Sequence, residues 1–446
     1  MYTYKRETKE TWYIMDKKEG LNEEHREPEE EYSFLQEVIK DETGGRKLRS
    51  GILHMIALGF VFGIVACFSF SVSKPWIEEK LGGDPKQVMI PGDDKEPEEN
   101  PEDGADENTG EEPVKSVQEE NIVPDSESYR QMLQSLRDVA RVSGKSVVEI
   151  TGLTGAEGEN WEPGAKDSIS GIIVADNGQE LLILGKRCPV KDAKSILVTF
   201  AGGDGCEASI KAYDANLGLA VYAVPREAIS DDTWTKIDKA VLGNSNLVNT
   251  GDTIIVLGKP FGYANAYNYG LVSSDITSMN LSDGQYGLIY TDISGSGSGS
   301  GVIVNVRGEV IGIIDQTVLE EDSRNLIAGY SISDIKEIIG LLSNGGSVPY
   351  IGIYGVDVSE DMKEQGLPKG VYVKEVEVDS PAMAAGIQNG DIITSADGAE
   401  ITDIMGYHNI LMGKGQGARV LLKGSRQGTG GEYVDIDFTV TVGAKK

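Results

Sequence analysis

VIVNVRGEVIGIID, residues 302–315, carries two short apolar runs separated by a polar stretch with Asn305, Arg307 and Gly308. Brief runs of this kind, rich in Val and Ile and broken by Asn or Gly, read as strands joined by a turn. The same texture extends outward in both directions from about residue 139. It appears as SVVEI, SGIIVAD, ELLIL, SILVTF, EASIKAY, LAVYAV and DTIIVLG, each bounded by Gly, Asn or Asp. Repeated strands of four to seven residues with turn signals between them predict a mainly β domain of the barrel or sandwich class.

Composition sets the limits around that domain. A chain of 446 residues with 7% aromatics and a net charge of -31 is too long for one ordinary domain and too polar to cross a membrane many times. With 72 acidic against 41 basic side chains, no surplus of cations exists to displace counterions from phosphates, so nucleic acid is excluded as a partner. Only three histidines (His25, His54, His408) and three cysteines occur. Zinc centres of the usual type and a dense disulfide framework are therefore not expected, and no cofactor or metal is called for.

The charge is concentrated. Residues 93–127 hold 15 acids against Lys95 and Lys115, a net of -13. This composition cannot bury enough apolar surface to offset chain entropy, so an acidic, disordered linker is predicted over 73–138. Its carboxylates follow no EF-hand spacing, which favours a solvated spacer over a calcium site. Before it, GILHMIALGFVFGIVACFSFSV, residues 51–72, contains no Asp, Glu, Lys or Arg and is long enough to span a bilayer. Arg46, Lys47 and Arg49 on one side place residues 1–50 in the cytoplasm and the bulk of the chain outside, in a plasma membrane crossed once. A cleaved signal peptide is the competing reading, against which stand the long preceding tail and the long apolar run. Phe34, Leu35, Val38 and Ile39 fall at helical spacing in the tail, as a frayed amphipathic helix or as a docking stripe for a cytosolic partner.

The order of the β segments resembles the trypsin-like domain of the HtrA/Deg proteases over roughly 139–342. The most specific stretches are Gly251-Asp252 to Pro260-Phe261-Gly262 and Asn305 to Ile313. The resemblance implies a double β-barrel over 139–345. A second resemblance, to a PDZ domain (α+β), begins at Tyr350-Ile351-Gly352-Ile353 and continues through DSPAMAAGIQNGDIITSADG, implying a PDZ domain over 346–446. In that module a peptide adds as a strand along the 351–356 edge, its terminal carboxylate held by backbone N–H groups of the Tyr350 to Gly352 loop. The helix 403–412 forms the other wall, and His408 within it reads as an exposed or packed side chain. A bacterial cell envelope, peptide or protein C-termini as partners, and assembly into homotrimers follow as expectations of the same resemblance.

Serine protease chemistry needs a nucleophile, a base and a carboxylate that orients the base. Where the family carries its histidine, this chain reads LGKRCPVKDA with Cys188 at the position; where the family carries its aspartate, Gly218 precedes Leu219-Ala220-Val221. The nucleophile region is DISGSGSGSGV: counting forward from Thr291 assigns Ser300, counting back from Asn305 lands on Gly299. An alternating Ser-Gly tract is expected to be flexible and poor at aiming an oxyanion hole. No histidine lies in the protease-like stretch, and losing the base leaves at most the roughly 10³–10⁴-fold catalysis of a sound oxyanion hole. A Ser-Lys pair would have to use Lys186 or Lys191 with a lowered pKa, in a charged segment. Cys188 lacks a histidine to activate it as a thiol nucleophile, and with Cys206 it forms either a disulfide or two packed thiols.

Three functions of different class are therefore in view: a membrane-anchored pseudoprotease that binds peptides or proteins, an active envelope serine endopeptidase using Ser300, and a transmembrane signalling tether.

Overall fold

A computed structural model describes residues 85–93, 126–153, 168–187, 193–319 and 325–445. All of these belong to one compact unit, Glu79–Lys446, while the other unit, Met1–Glu78, lies outside the described residues. The apolar segment 51–72, the tail stripe, His25 and His54 lie there too. Among the described residues no helix is long and apolar enough to cross a membrane.

Two closed antiparallel barrels follow one another. The first has the order β1 (Val147–Leu153), β2 (Ser168–Asp176), β3 (Glu180–Lys186), β6 (Leu219–Pro225), β5 (Gly205–Asp214), β4 (Ser195–Thr199). The second runs β10 (Ser300–Asn305), β11 (Val310–Asp315), β12 (Leu326–Ser331), β9 (Gly284–Ser294), β8 (Ala266–Leu281), β7 (Thr253–Lys259). The continuous apolar runs have a physical reason. Successive side chains of a strand point to opposite faces, and here both faces are buried. Leu181 and Ile183 fill the first barrel, whereas Leu182 and Leu184 join the core shared by the two barrels. Ile254, Val256 and Ile303 likewise fill the second barrel, while Ile255, Leu257, Val302 and Val304 face the shared core.

Helix α1 (Ser126–Ser143) and helix α2 (Ile332–Ser343) cover this core, α1 through Leu136 and Ala140, α2 through Ile335, Ile338, Ile339 and Leu342. The chain is thus structured within the span expected to be a disordered linker. Its helix begins at Ser126, and residues 85–93 also pack on the domain. Val88 exchanges two 2.8 Å hydrogen bonds with the Asn344 side chain, Ile90 rests against the shared core, and Asp93 pairs with buried Lys336. Averaging composition over the acidic stretch hid the short Val88-Met89-Ile90 run and the amphipathic repeat of α1. Residues 94–125 lie outside the described residues.

The third part is a sheet in the order β13 (Ile353–Asp357), β14 (Val371–Val376), β15 (Ile392–Ala396), β17 (Arg419–Gln427), β18 (Tyr433–Thr441), with β16 (Ala399–Glu400) paired to β15. Helix α3 (Ile404–Met412) starts at Asp403, whose carboxylate caps it by accepting the Gly406 N–H at 2.7 Å. Ile404, Tyr407 and Leu411 of α3 pack into this sheet's own core with Ile351, Ile353 and Val371. Among the described strands β13 is an edge, paired only with β14.

Candidate functional site

The protease-like site is built at the ends of β3, β6 and β10. Ser300 opens β10 opposite Lys259 and Asp315, is only 1% exposed, and its Oγ accepts the Ser170 N–H at 3.0 Å. Its hydroxyl therefore ties the two barrels together. The alternative position, Gly299, has no room for a side chain, because a Cβ there would meet the Pro260 and Ser296 carbonyl oxygens at 2.7 and 2.8 Å. The Ser-Gly tract is more fixed than its composition suggests. The Ser296 N–H donates to the Pro260 carbonyl at 2.9 Å, and the Gly299 N–H closes back on the Ser296 carbonyl at 2.7 Å. That turn presents Ser298 to solvent, with its Oγ 3.1 Å from the Ser296 Oγ.

Gly218 occupies the left-handed region, φ 66°. It ends a turn organised by Asp214, whose buried carboxylate accepts the N–H groups of Asn216 and Leu217 at 3.1 and 3.0 Å. Burial pushes the Asp214 carboxyl above its ordinary value, and those two amides pull it back. Lys186 is not paired with Ser300: its ammonium meets Asp315 at 2.6 Å, across the two barrels. Cys188 and Lys191 lie outside the described residues. Cys206 is a free, buried thiol whose Sγ–H donates to the Ala228 carbonyl at 3.2 Å, and Cys188, its partner in the disulfide alternative, lies outside the described residues.

The loop Tyr350 to Ile353, expected from the sequence to hold a peptide end, is formed differently from that expectation in one respect. The Tyr350 N–H is turned away, donating to the Gly443 carbonyl at 3.0 Å, while the Gly443 N–H returns to the Tyr350 carbonyl. The convergent donors are instead the N–H groups of Ile351, Gly352 and Ile353. Gly352 makes this possible: φ is 99°, and a Cβ there would lie 2.4 Å from the Ser380 Cβ. The side chains of Ile351 and Ile353 are fully buried core residues, so they shape the loop and do not reach a ligand.

All three amides converge on one carboxylate, that of Asp283. Ile351 and Gly352 donate to Oδ2 at 2.7 Å each, and Ile353 donates to Oδ1 at 3.0 Å. The Tyr407 hydroxyl of α3 adds a fourth bond to Oδ1 at 2.7 Å. Asp283 belongs to the two-residue tip of the β8–β9 hairpin and is itself in the left-handed region, φ 61°. Burial pushes its carboxyl above the ordinary value, opposed by the Tyr407 hydroxyl and the three amides. His408 is packed, edge-on to the Tyr286 ring with centroids 5.7 Å apart, and its Nδ1 lies 2.9 Å from the Asp283 carbonyl oxygen, a contact that needs the proton on Nδ1. Neither Asp283 nor Tyr407 stands out in the sequence as a site residue. The Asp283-Gly284 pair signals a hairpin turn, and nothing local tells that the turn meets a loop 68 or more residues away.

Paired antiparallel barrels followed by a PDZ sheet define a trypsin-like peptidase fold joined to a peptide-binding module. Comparison with known proteins agrees: the trypsin-like peptidase domain family matches residues 169–313 and the PDZ domain family matches 349–438. The serine protease Do-like HtrA of Bacillus subtilis (strain 168) is 31% identical over 272 residues, 57% of this chain and 58% of the relative. The putative serine protease HhoA of Synechocystis is 29% identical over 251 residues, 52% of this chain and 61% of the relative. The chain thus matches about three fifths of the length of these curated relatives. Among solved structures, the HtrA-type protease AlgW with tripeptide shares the fold at 20% identity and a TM-score of 0.51, covering 70% of this chain and 97% of that one. The domains and their order are those of the HtrA/Deg family of trypsin-like serine proteases with a C-terminal PDZ domain.

Proposed function

We propose that this chain is a membrane-anchored, extracytoplasmic HtrA-type pseudoprotease that captures peptide or protein C-termini through its PDZ domain and does not cut them. The observation that carries the reading is the contrast between missing chemistry and retained binding geometry. No histidine occurs between His54 and His408, the acid position is Gly218 in a left-handed turn, and the Ser300 hydroxyl is buried on a backbone amide. A serine without a base has little nucleophilicity. The PDZ loop, by contrast, presents three amides and a hydroxyl to a carboxylate. The anchor rests on the apolar run 51–72 and the basic residues before it. Homotrimer assembly belongs to the same proposal by family likeness.

The second reading, an active endopeptidase of envelope protein quality control, is favoured by the names of the relatives, which are serine proteases. Cleavage of casein by the wild type, Ser300→Ala and Ser298→Ala separates the two. The pseudoprotease reading expects all three at the no-enzyme background. Cleavage by the wild type that Ser300→Ala abolishes would establish the second reading instead.

A further inference from the structure

We infer that the β8–β9 hairpin is the resident ligand of the PDZ domain: the Asp283 carboxylate fills, in cis, the place of a peptide's terminal carboxylate, and a chain end binds only by displacing it. The inference rests on the reading of this loop as a carboxylate-binding site.

Two features distinguish this contact from an ordinary strut between domains. The first is that the carboxylate takes all three convergent loop amides, leaving none for an incoming anion. The second is that the backbone follows. The Asp283 N–H donates to the Ile353 carbonyl at 2.7 Å, the hydrogen bond through which a strand would begin to add to the β13 edge. Both halves of chain-end recognition, the terminal anion and the first ladder bond, are supplied by one residue of the chain itself.

The hairpin is built to reach this place. Gly284 lies so close to α3 that a Cβ would meet the His408 Nδ1 at 2.9 Å, and the Asn216 side chain holds the Ser282 carbonyl at 2.8 Å from the other side. The space remaining at the junction, bordered by Asp214, Tyr286, Tyr350 and Lys445, is about 10 Å³, enough for one water molecule. No chain end enters it while Asp283 is seated. Beyond Ile353, no described strand pairs with the outer edge of β13, so a ligand needs a free terminal carboxylate to compete and an extended segment before it to gain from the strand edge.

The test uses the full-length chain, with a fluorescent pool of random decapeptides bearing free C-terminal carboxylates and the same pool amidated, read by polarisation. The resident ligand lowers apparent affinity by the fraction of chains in which the loop is vacant. Asp283→Ala is therefore expected to bind the acid pool about tenfold or more tightly than the wild type, with no gain for the amidated pool. Asp283→Asn, which keeps the shape of the turn and weakens the acceptor, should give a smaller gain in the same direction and guards against misfolding of the alanine variant. Hydrogen exchange of the Ile351, Gly352 and Ile353 amides should accelerate in both variants. Equal affinity of wild type and both variants for the acid pool would overturn the inference while leaving peptide capture intact. Absence of binding by any variant would instead overturn the peptide-capture reading itself, and the inference with it.

Discussion

The two sites of this molecule stand in opposite conditions. At the β10 end of the second barrel, the scaffold is in place but its groups are turned to structural use: Ser300 binds a backbone amide, Lys186 binds Asp315, and Gly218 supplies no acid. At the PDZ loop the binding groups are all present and all occupied. Catalysis needs several side chains in register, and losing one base removes most of it. Anion binding by backbone amides needs only a loop shape, which a glycine and a few buried isoleucines maintain. The second kind of site depends on fewer side chains than the first.

That contrast can be broken most severely through the core beneath the loop. Ile353→Ala removes a fully buried side chain and should cost about 2–5 kcal/mol in urea denaturation, with loss of carboxylate binding. An unchanged midpoint would mean the loop does not depend on this core. Gly352→Ala forces a methyl group toward the Ser380 Cβ at 2.4 Å and a side chain into φ 99°, a strain of about 1–3 kcal/mol. It should abolish peptide binding while the barrels still fold, and retained affinity would show that another conformation serves as well. Tyr407→Phe leaves a buried carboxylate one donor short and should lower stability by about 1–3 kcal/mol, read as a lower melting temperature. The smallest effect belongs to the other site. Ser300→Ala strips the Ser170 N–H of its acceptor for about 1 kcal/mol, with casein cleavage unaltered from background.

Much of the fold was legible because its signals are local. The runs from SVVEI to VIGIID are strands of the two barrels, and the apolar continuity of ELLIL, LAVYAV and TIIVLG reflects burial on both faces. The assignment of Cys188 and Gly218 to the base and acid positions rests on the sequence alone, and Cys188 lies outside the described residues. What escaped the sequence was non-local. The tip of the hairpin is an ordinary Ser-Asp-Gly turn, and its meeting with a loop in the next domain depends on how the second barrel and the PDZ sheet pack. The Val88 to Ile90 run was likewise masked by its acidic surroundings, and Tyr350 was credited with a donor that pairs with Gly443.

The most direct measurement combines both sites in one sample. The full-length chain is incubated with the free-carboxylate decapeptide pool, and polarisation and the mass spectrum of the peptides are recorded together. Peptides are expected to become bound and to stay intact, more tightly with Asp283→Ala. Fragments that disappear with Ser300→Ala, or a failure of any peptide to bind, would contradict this expectation.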